Sequence, residues 1–247
     1  VKKPADAPVF SFQRIQLVRT AFFIDGYNLF YGLLAGTPYK WLDLPGLLEA
    51  ITHENDPASH LVEVHYFTSP VQPTLATRGL LSKQAQDVYI RALKARDVIV
   101  HWGRHRLDHR KAPRFVSRGT PASRQDQVDI WHLEEKETDV RIGIAMYRLA
   151  AKQYWRTTSE PPIEQLVLVS GDTDMAPALE AIRDDFPQLR IGIILPHRQG
   201  IERTPPGSLR NNADWVRRYI SNNELMSNQF PNRVHTRKKP ADKPDYW

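Results

Sequence analysis

Three stretches of this chain put acids where a strand ends or a helix begins. Phe22-Phe23-Ile24-Asp25-Gly26-Tyr27-Asn28 and Leu166-Val167-Leu168-Val169-Ser170-Gly171-Asp172-Thr173-Asp174 each read as a buried strand that stops on carboxylates and a glycine. Asp139, after Thr138, opens an apolar-periodic helix between them. In an open α/β sheet the carboxyl ends of the strands form the crevice in which ligands bind. If Asp25, Asp139, Asp172 and Asp174 converge there, they need compensation, because two unit charges 4 Å apart repel by roughly 4 kcal/mol at an effective dielectric of 20. A divalent cation supplies it. All-oxygen ligands and the absence of cysteine favour Mg²⁺ or Mn²⁺ over zinc. Such an ion polarises a phosphate and lowers the pKa of bound water, so the chemistry expected is phosphodiester hydrolysis without a covalent intermediate. Each acid also has a plainer explanation. Gly171-Asp172 is an ordinary turn signal, Gly26 permits a tight turn, and Asp139 suits the first turn of a helix dipole. Singly, these explanations weigh at least as much as the site; three such placements together favour the site.

The elements that must position these acids alternate along the chain. Strands are expected at Ala21 to Asp25, Leu61 to Phe67, Val98 to Trp102, Leu166 to Ser170 and Ile191 to Leu195. Helical patterns occupy Leu44 to Thr52, Leu75 to Ala95, Val140 to Tyr154 and Ala176 to Arg183, with a last one at Trp215 to Ser221. Strands alternating with helices argue for an α/β fold with a parallel sheet covered on both faces. The rhythm breaks between Val98 and Glu137, where Val128 to Leu133 alternates polar and apolar residues, the pattern of a hairpin-like insertion. Residues 1–18 read as an N-terminal arm, residues 19–230 as one domain with its insertion at about 103–127, and residues 231–247, rich in proline and charge, as a basic flexible tail.

Charge is unevenly spread. The chain carries 34 Lys and Arg against 28 Asp and Glu, and from Arg104 to Arg124 seven basic residues stand with Asp108 as the only acid. Arg104, Arg106, Arg110 and Lys111 lie in this run, with Trp102 and Phe115 close by. Basic residues interleaved with aromatics suit a polyanion, since neutralised phosphates release counterions and ring faces stack bases. A solvated loop explains the run equally well on its own. His101, His105 and His109 recur at helical spacing, but Gly103 interrupts them and their Arg neighbours suit phosphate better than zinc. No apolar run is long enough to span a bilayer, and the first residues do not resemble a secretory leader. A soluble cytoplasmic protein is expected, with no membrane partner.

Asp25-Gly26-Tyr27-Asn28, Glu135-Lys136-Glu137-Thr138-Asp139-Val140, and Ser170-Gly171-Asp172-Thr173-Asp174 with Pro177 resemble the three signature blocks of the NYN domain family, PIN-like nucleases that include bacterial LabA-type proteins. Leu195-Pro196-His197, followed by Ser208-Leu209 and Ala213-Asp214, is similar to that family's last strand and closing helix. The resemblance implies a PIN-like three-layer sandwich with a central parallel sheet in the order 3-2-1-4-5. It implies a Mg²⁺- or Mn²⁺-dependent endoribonuclease, a hydrolase acting on single-stranded or looped RNA. Asp25, Asp139, Asp172 and Asp174 would hold the metal, and Asn28 would orient a water or phosphate oxygen. Ser170 and Thr173 would bond within the acidic turn, and Lys136 would touch phosphate. Apart from the resemblance, Tyr31, Tyr39 and Trp41 follow the first block, where aromatic rings could stack a flipped-out base; core packing is the plainer role for at least one of them. The competing reading is an RNA-binding or adaptor protein whose site is silent; a phosphatase with Asp172 as nucleophile ranks lower, because the Asp-Thr-Asp pair follows a late strand. PIN-like domains often pair, so a homo-oligomer is admitted.

Overall fold

A computed structural model of the chain describes residues 17–155, 161–201 and 203–247. The expected N-terminal arm lies almost wholly outside the described residues. Strand β1 (Val18–Asp25) runs into a single helical turn, α1 (Gly26–Leu29), and a π-helical turn, Phe30–Leu34. Then come α2 (Leu44–Asn55), β2 (Ser59–Thr68), α3 (Leu80–Lys94) and β3 (Ile99–Trp102). A ribbon of β4 (Arg104–Pro113) and β5 (Gln127–Lys136) follows, and the chain re-enters the body through α4 (Thr138–Tyr154). It continues through β6 (Gln165–Val169), α5 (Ala176–Asp185) and β7 (Arg190–Ile194). The last elements are α6 (Gly207–Arg210), β8 (Trp215–Arg217), α7 (Asn222–Ser227) and a small antiparallel pair, β9 (Arg233–Val234) and β10 (Ala241–Asp242).

Six strands form one parallel sheet in the order β3-β2-β1-β6-β7-β8. Alternation along β1 sends its side chains to two cores. Phe22 and Ile24 join Leu44, Leu47, Leu48 and Ile51 of α2 and Ile90 and Leu93 of α3. Phe23 and Ala21 join Ile142, Met146 and Ala150 of α4 and Leu179 and Ile182 of α5. Every residue of β6 is buried, the expected signature of a strand covered on both faces. Register aligns the ends that matter: Ile24 pairs with Val169, and Asp25 with Phe67, so the loops after β1 and β6 open side by side. Among the described residues no helix is long and apolar enough to cross a membrane.

The strand order differs from the expected 3-2-1-4-5. The sheet has six strands, and two ribbon strands intervene in the chain before the fourth sheet strand is reached. Trp215 to Arg217, expected within a helix, is the sixth strand, pairing with Gly192 to Ile194. Its Trp215 lies over Gly192, whose bare Cα leaves room for the indole, and the indole N–H donates to Gln165 Oε1 at 3.0 Å. The tail is a second correction. Residues 231–247 pack onto the body: Val234 and Ala241 are buried, and the Trp247 ring lies 6.2 Å from that of Trp41 and 5.9 Å from that of Tyr89. The Trp41 indole N–H donates to Pro231 O at 2.8 Å and Tyr246 Oη to Leu81 O at 2.9 Å. Helix α3 begins at Leu80 rather than Leu75, because Gly79, at φ +52, turns the chain just before it.

Candidate functional site

Asp25 sits where β1 gives way to α1, 6% exposed. Its carboxylate caps that turn, accepting from Tyr27 N at 3.1 Å and Asn28 N at 2.9 Å, while Ser170 Oγ donates to its other oxygen at 3.3 Å. Gly26 is required by closeness: a Cβ there would lie 2.6 Å from Phe67 O and from the Tyr66 ring. Asn28 ties the two rim loops together, its Oδ1 accepting from Gly171 N at 3.0 Å. In the second loop, buried Ser170 accepts from Asp172 N at 3.1 Å, and Asp172 Oδ1 accepts from Asp174 N at 3.0 Å. Thus Ser170, Asn28, Asp25 and Asp172 form one hydrogen-bonded rim.

The third acid enters from α4. Asp139 is half-buried in its first turn and faces Asp172, Glu135 and Asp174 closely enough for their charges to act on it. Burial first, then Asp172, raises its pKa. Asp25 is pushed from 3.8 to about 6, chiefly by burial, with Asp139 and Glu135 adding to the rise and the Asn28 N–H opposing it. One unit of pKa is about 1.4 kcal/mol, so the ionised form of Asp25 is substantially disfavoured. The four aspartates therefore share one negative region. They do not close around one point: among the described residues no group of three or more His, Asp or Glu side chains is arranged to hold a metal ion.

An aromatic group stands next to the rim. Tyr27 and Tyr31 stack at 5.9 Å, and the His105 ring meets Tyr27 edge-on at 5.3 Å. Tyr27 Oη donates to Ser69 O at 3.1 Å, and His105 Nδ1 is 2.9 Å from Pro70 O, which makes that nitrogen the donor and leaves Nε2 unengaged by this bond. Tyr31 is 70% exposed, so its ring is open to a ligand. Glu135, Tyr27 and His105 were not among the expected site residues; Tyr27 stands on α1 two residues after Asp25, and Glu135 and His105, which pair across the root of the ribbon, reach the rim from there.

Most of the expected basic residues are matched by acids of the ribbon or of the turn into α4. Arg104 pairs with Glu137 at 2.8 Å, Arg106 with Asp108 at 2.8 Å, Lys111 with Asp129 at 3.7 Å, and Lys136 with Glu134. Arg110 makes no ion pair among the described residues. Thr173 is exposed in the turn after Asp172. The three histidines expected at helical spacing lie on strands. His101 of β3 meets His65 of β2, Nε2 to Nδ1, at 2.9 Å, and His65 Nε2 meets Glu63 Oε2 at 3.0 Å.

No family model matches this chain. It is 33% identical to the 6-hydroxy-3-succinoylpyridine 3-monooxygenase HspA of Pseudomonas putida, the match covering 93% of this chain and 75% of that protein. A crystal structure of a protein of unknown function from Vibrio parahaemolyticus aligns with 85% of this chain and 96% of its own, at 14% identity and a TM-score of 0.46. The first match corrects the expected enzyme class. A monooxygenase is an oxidoreductase, so the Mg²⁺- or Mn²⁺-dependent ribonuclease, a hydrolase, is set aside. The physical reason is that carboxylates at a strand rim mark where a ligand binds and what charge it meets, and several reactions can use that charge.

Proposed function

Because the chain belongs to the family of the 6-hydroxy-3-succinoylpyridine 3-monooxygenase HspA, we propose that it is an oxidoreductase that oxygenates a hydroxylated heteroaromatic ring, with Asp25 as the base at its rim crevice. The observation that carries this reading is a buried carboxylate raised to about 6 that accepts from the backbone N–H of Tyr27, whose ring is grouped with those of Tyr31 and His105. At neutral pH such a group is ionised yet poorly solvated, the state in which a base takes a proton readily. Positions 3 and 6 of a pyridine ring lie opposite each other. Removing the 6-hydroxyl proton therefore pushes electron density toward C3, the carbon at which the relative's name places oxygenation. The exposed face of Tyr31 offers a planar ring a stacking partner. We read the scaffold as PIN-like, of the NYN kind; the placement of Asp25, Asp139 and Asp172 on one rim supports that reading.

C3 of the substrate in the relative's name already carries the succinoyl group, so one atom of dioxygen becomes the ring hydroxyl as the C3–acyl bond breaks and the other goes to water. With the side chain released as its aldehyde, the balance takes four electrons, from two donors of the nicotinamide class. A diphosphate-bearing redox cofactor does not fit the loop after β1. The N–H groups of Tyr27 and Asn28 that would face its phosphates already bind the Asp25 carboxylate, Gly26 has no free space above it, and the nearby acids repel an anion. What this chain's own residues supply is ring orientation by Tyr27 and Tyr31 and proton removal by Asp25.

The test is aerobic turnover of 6-hydroxy-3-succinoylpyridine by the full chain, with a nicotinamide reductant, added flavin and isotopically labelled dioxygen. Product mass and the ultraviolet difference spectrum of the bound, ionised substrate are both read. One labelled oxygen in the product, and loss of both signals in Asp25→Asn, are expected. No ionised substrate and no label incorporation in the native protein would sink the reading.

A further inference from the structure

The ribbon β4–β5 stands apart from the body. Its strands pair with each other through ten residue pairs, from Arg104 with Lys136 to Pro113 with Gln127, and they form a sheet of their own. A two-stranded ribbon alone is marginally stable in water; this one is held to the body at its root, where His105 meets Tyr27 and Pro70 O, and beyond the root it carries large apolar side chains in the open. Trp131 is 64% exposed, Leu133 37%, and Phe115, just beyond the paired strands, 77%.

One face has a particular order. From root to tip its cross-strand pairs are His105 with Glu135, Leu107 with Leu133, His109 with Trp131, and Lys111 with Asp129. All the basic groups of this face stand on β4 and all the acids on β5. The other face is more evenly charged, with Arg106 opposite Glu134 and Asp108 opposite His132. A rotation of 180° about an axis running along the ribbon, just above the first face, lays β4 of one copy over β5 of another at the same level. Leu107 then meets the second copy's Leu133, His109 its Trp131, and Lys111 its Asp129. Within one chain these polar contacts are loose: Lys111 Nζ lies 3.7 Å and His109 Nε2 3.4 Å from Asp129 Oδ1. Asp129 therefore keeps room for a second cation.

We propose that this face is a homodimer interface, in which two ribbons cover each other's Trp131–Leu133 stripe about a two-fold axis parallel to the strands. The occupant is a second copy because the face is complementary to itself in both apolar and charge order, as a two-fold contact requires. Ten strand residues span about 34 Å. A face this narrow buries less than the roughly 800 Å² per partner of a standard interface, so the dimer is weak and concentration-dependent.

Sedimentation velocity of the full chain over a wide concentration series tests this, with circular dichroism to confirm that each variant is folded. A monomer–dimer equilibrium is expected, weakened about tenfold or more by Trp131→Glu. Lys111→Glu and Asp129→Lys should each weaken self-association, and mixing the two variants should restore a dimer. Mixing is decisive because each variant's own Lys111–Asp129 pair is like-charged, so attraction returns only between chains. A monomer throughout the series, a dimer indifferent to Trp131→Glu, or no recovery on mixing overturns the proposal. Retardation of a single-stranded RNA by a ribbon that stays monomeric would likewise assign this face to a polyanion and overturn it.

Discussion

Replacing Asp25 by asparagine should make the protein more stable, and by an amount that depends on pH. Burial raises the Asp25 pKa from 3.8 to about 6, which corresponds to about 3 kcal/mol by which the folded state disfavours the ionised carboxyl. The sign follows from proton linkage. Between pH 3.8 and about 6 the folded chain holds a proton at Asp25 that the unfolded chain has released, so stability falls as pH rises through this window and stays low above it. Asparagine carries no charge at any pH. Its carbonyl still accepts from Tyr27 N and Asn28 N, and its amide can donate to Ser170 Oγ, so the cap survives. Asp25→Asn should therefore match the native protein below about pH 4 and exceed it at pH 8 by up to about 3 kcal/mol, or about 6–12 °C in Tm for a chain of this size. Thermal unfolding of both proteins at half-unit pH intervals is the assay. A variant that is less stable at pH 8, or a gap that does not change with pH, would refute the account of Asp25 as an acid held in an unfavourable charge state.

Other sites give sharper or simpler outcomes. Gly26→Ala places a methyl 2.6 Å from Phe67 O and the Tyr66 ring; a loss of about 1–3 kcal/mol in urea unfolding is expected. His101 is held below its ordinary pKa by burial, then by His65 and Arg141. Its neutral form thus contributes stability that is complete above about pH 6.5 and is lost as the pH falls toward the folded value; His101→Gln should flatten that part of a stability–pH profile. Trp41→Ala removes a fully buried indole with its bond to Pro231 O and its contacts to Phe230 and Trp247. It should cost about 3–5 kcal/mol and expose the chain after residue 230 to limited proteolysis.

The strands of the central sheet are legible because burial on both faces leaves an apolar run such as Leu166 to Val169 with little alternative. The rim acids are legible for a related reason: a chain leaving a buried strand must turn, and Asp25 and Asp172 stand at those turns. Trp215 to Arg217 is too short to show a period, and what makes it a strand is an indole seated on Gly192, a contact between distant residues. The tail misleads because its prolines and lysines dominate its composition, whereas two aromatics at its very end, Tyr246 and Trp247, do the anchoring. Charge counting along the chain fails for a similar reason. From Arg104 to Arg124 it sees an almost uncompensated basic run, but Asp126 and Asp129, just beyond it in sequence, lie across the ribbon and pair with Arg114 and Lys111. Glu135 and His105 belong to the crevice only through the register of that ribbon's root, and His65 meets His101 only through the pairing of β2 with β3.

What separates the rim acids from the other acids of the chain is the company they keep. Asp56 accepts from Arg190 at 2.8 Å, and that bond holds its pKa low. Glu137 is lowered by Arg141 in the same way. These carboxylates contribute to the fold and are placed where ionisation costs little. Asp25 and Asp139 are raised instead, and among the described residues neither makes an ion pair with Lys or Arg. A carboxylate kept only to cap α1 would be better matched by a cation, as Glu224 of the capping box at α7 is by Arg217. Asp25 is capped, buried and left without a cation, and the hydrogen bonds from Asn28 N and Ser170 Oγ offset only part of the cost. Unfavourable charge of this kind is tolerated where a proton or a ligand must arrive. Position therefore marks the rim as the candidate site, while the reaction proposed for it depends on what enters: the same poorly solvated carboxylate can activate water or take a proton from a ring hydroxyl. Membership of a monooxygenase family favours the second use.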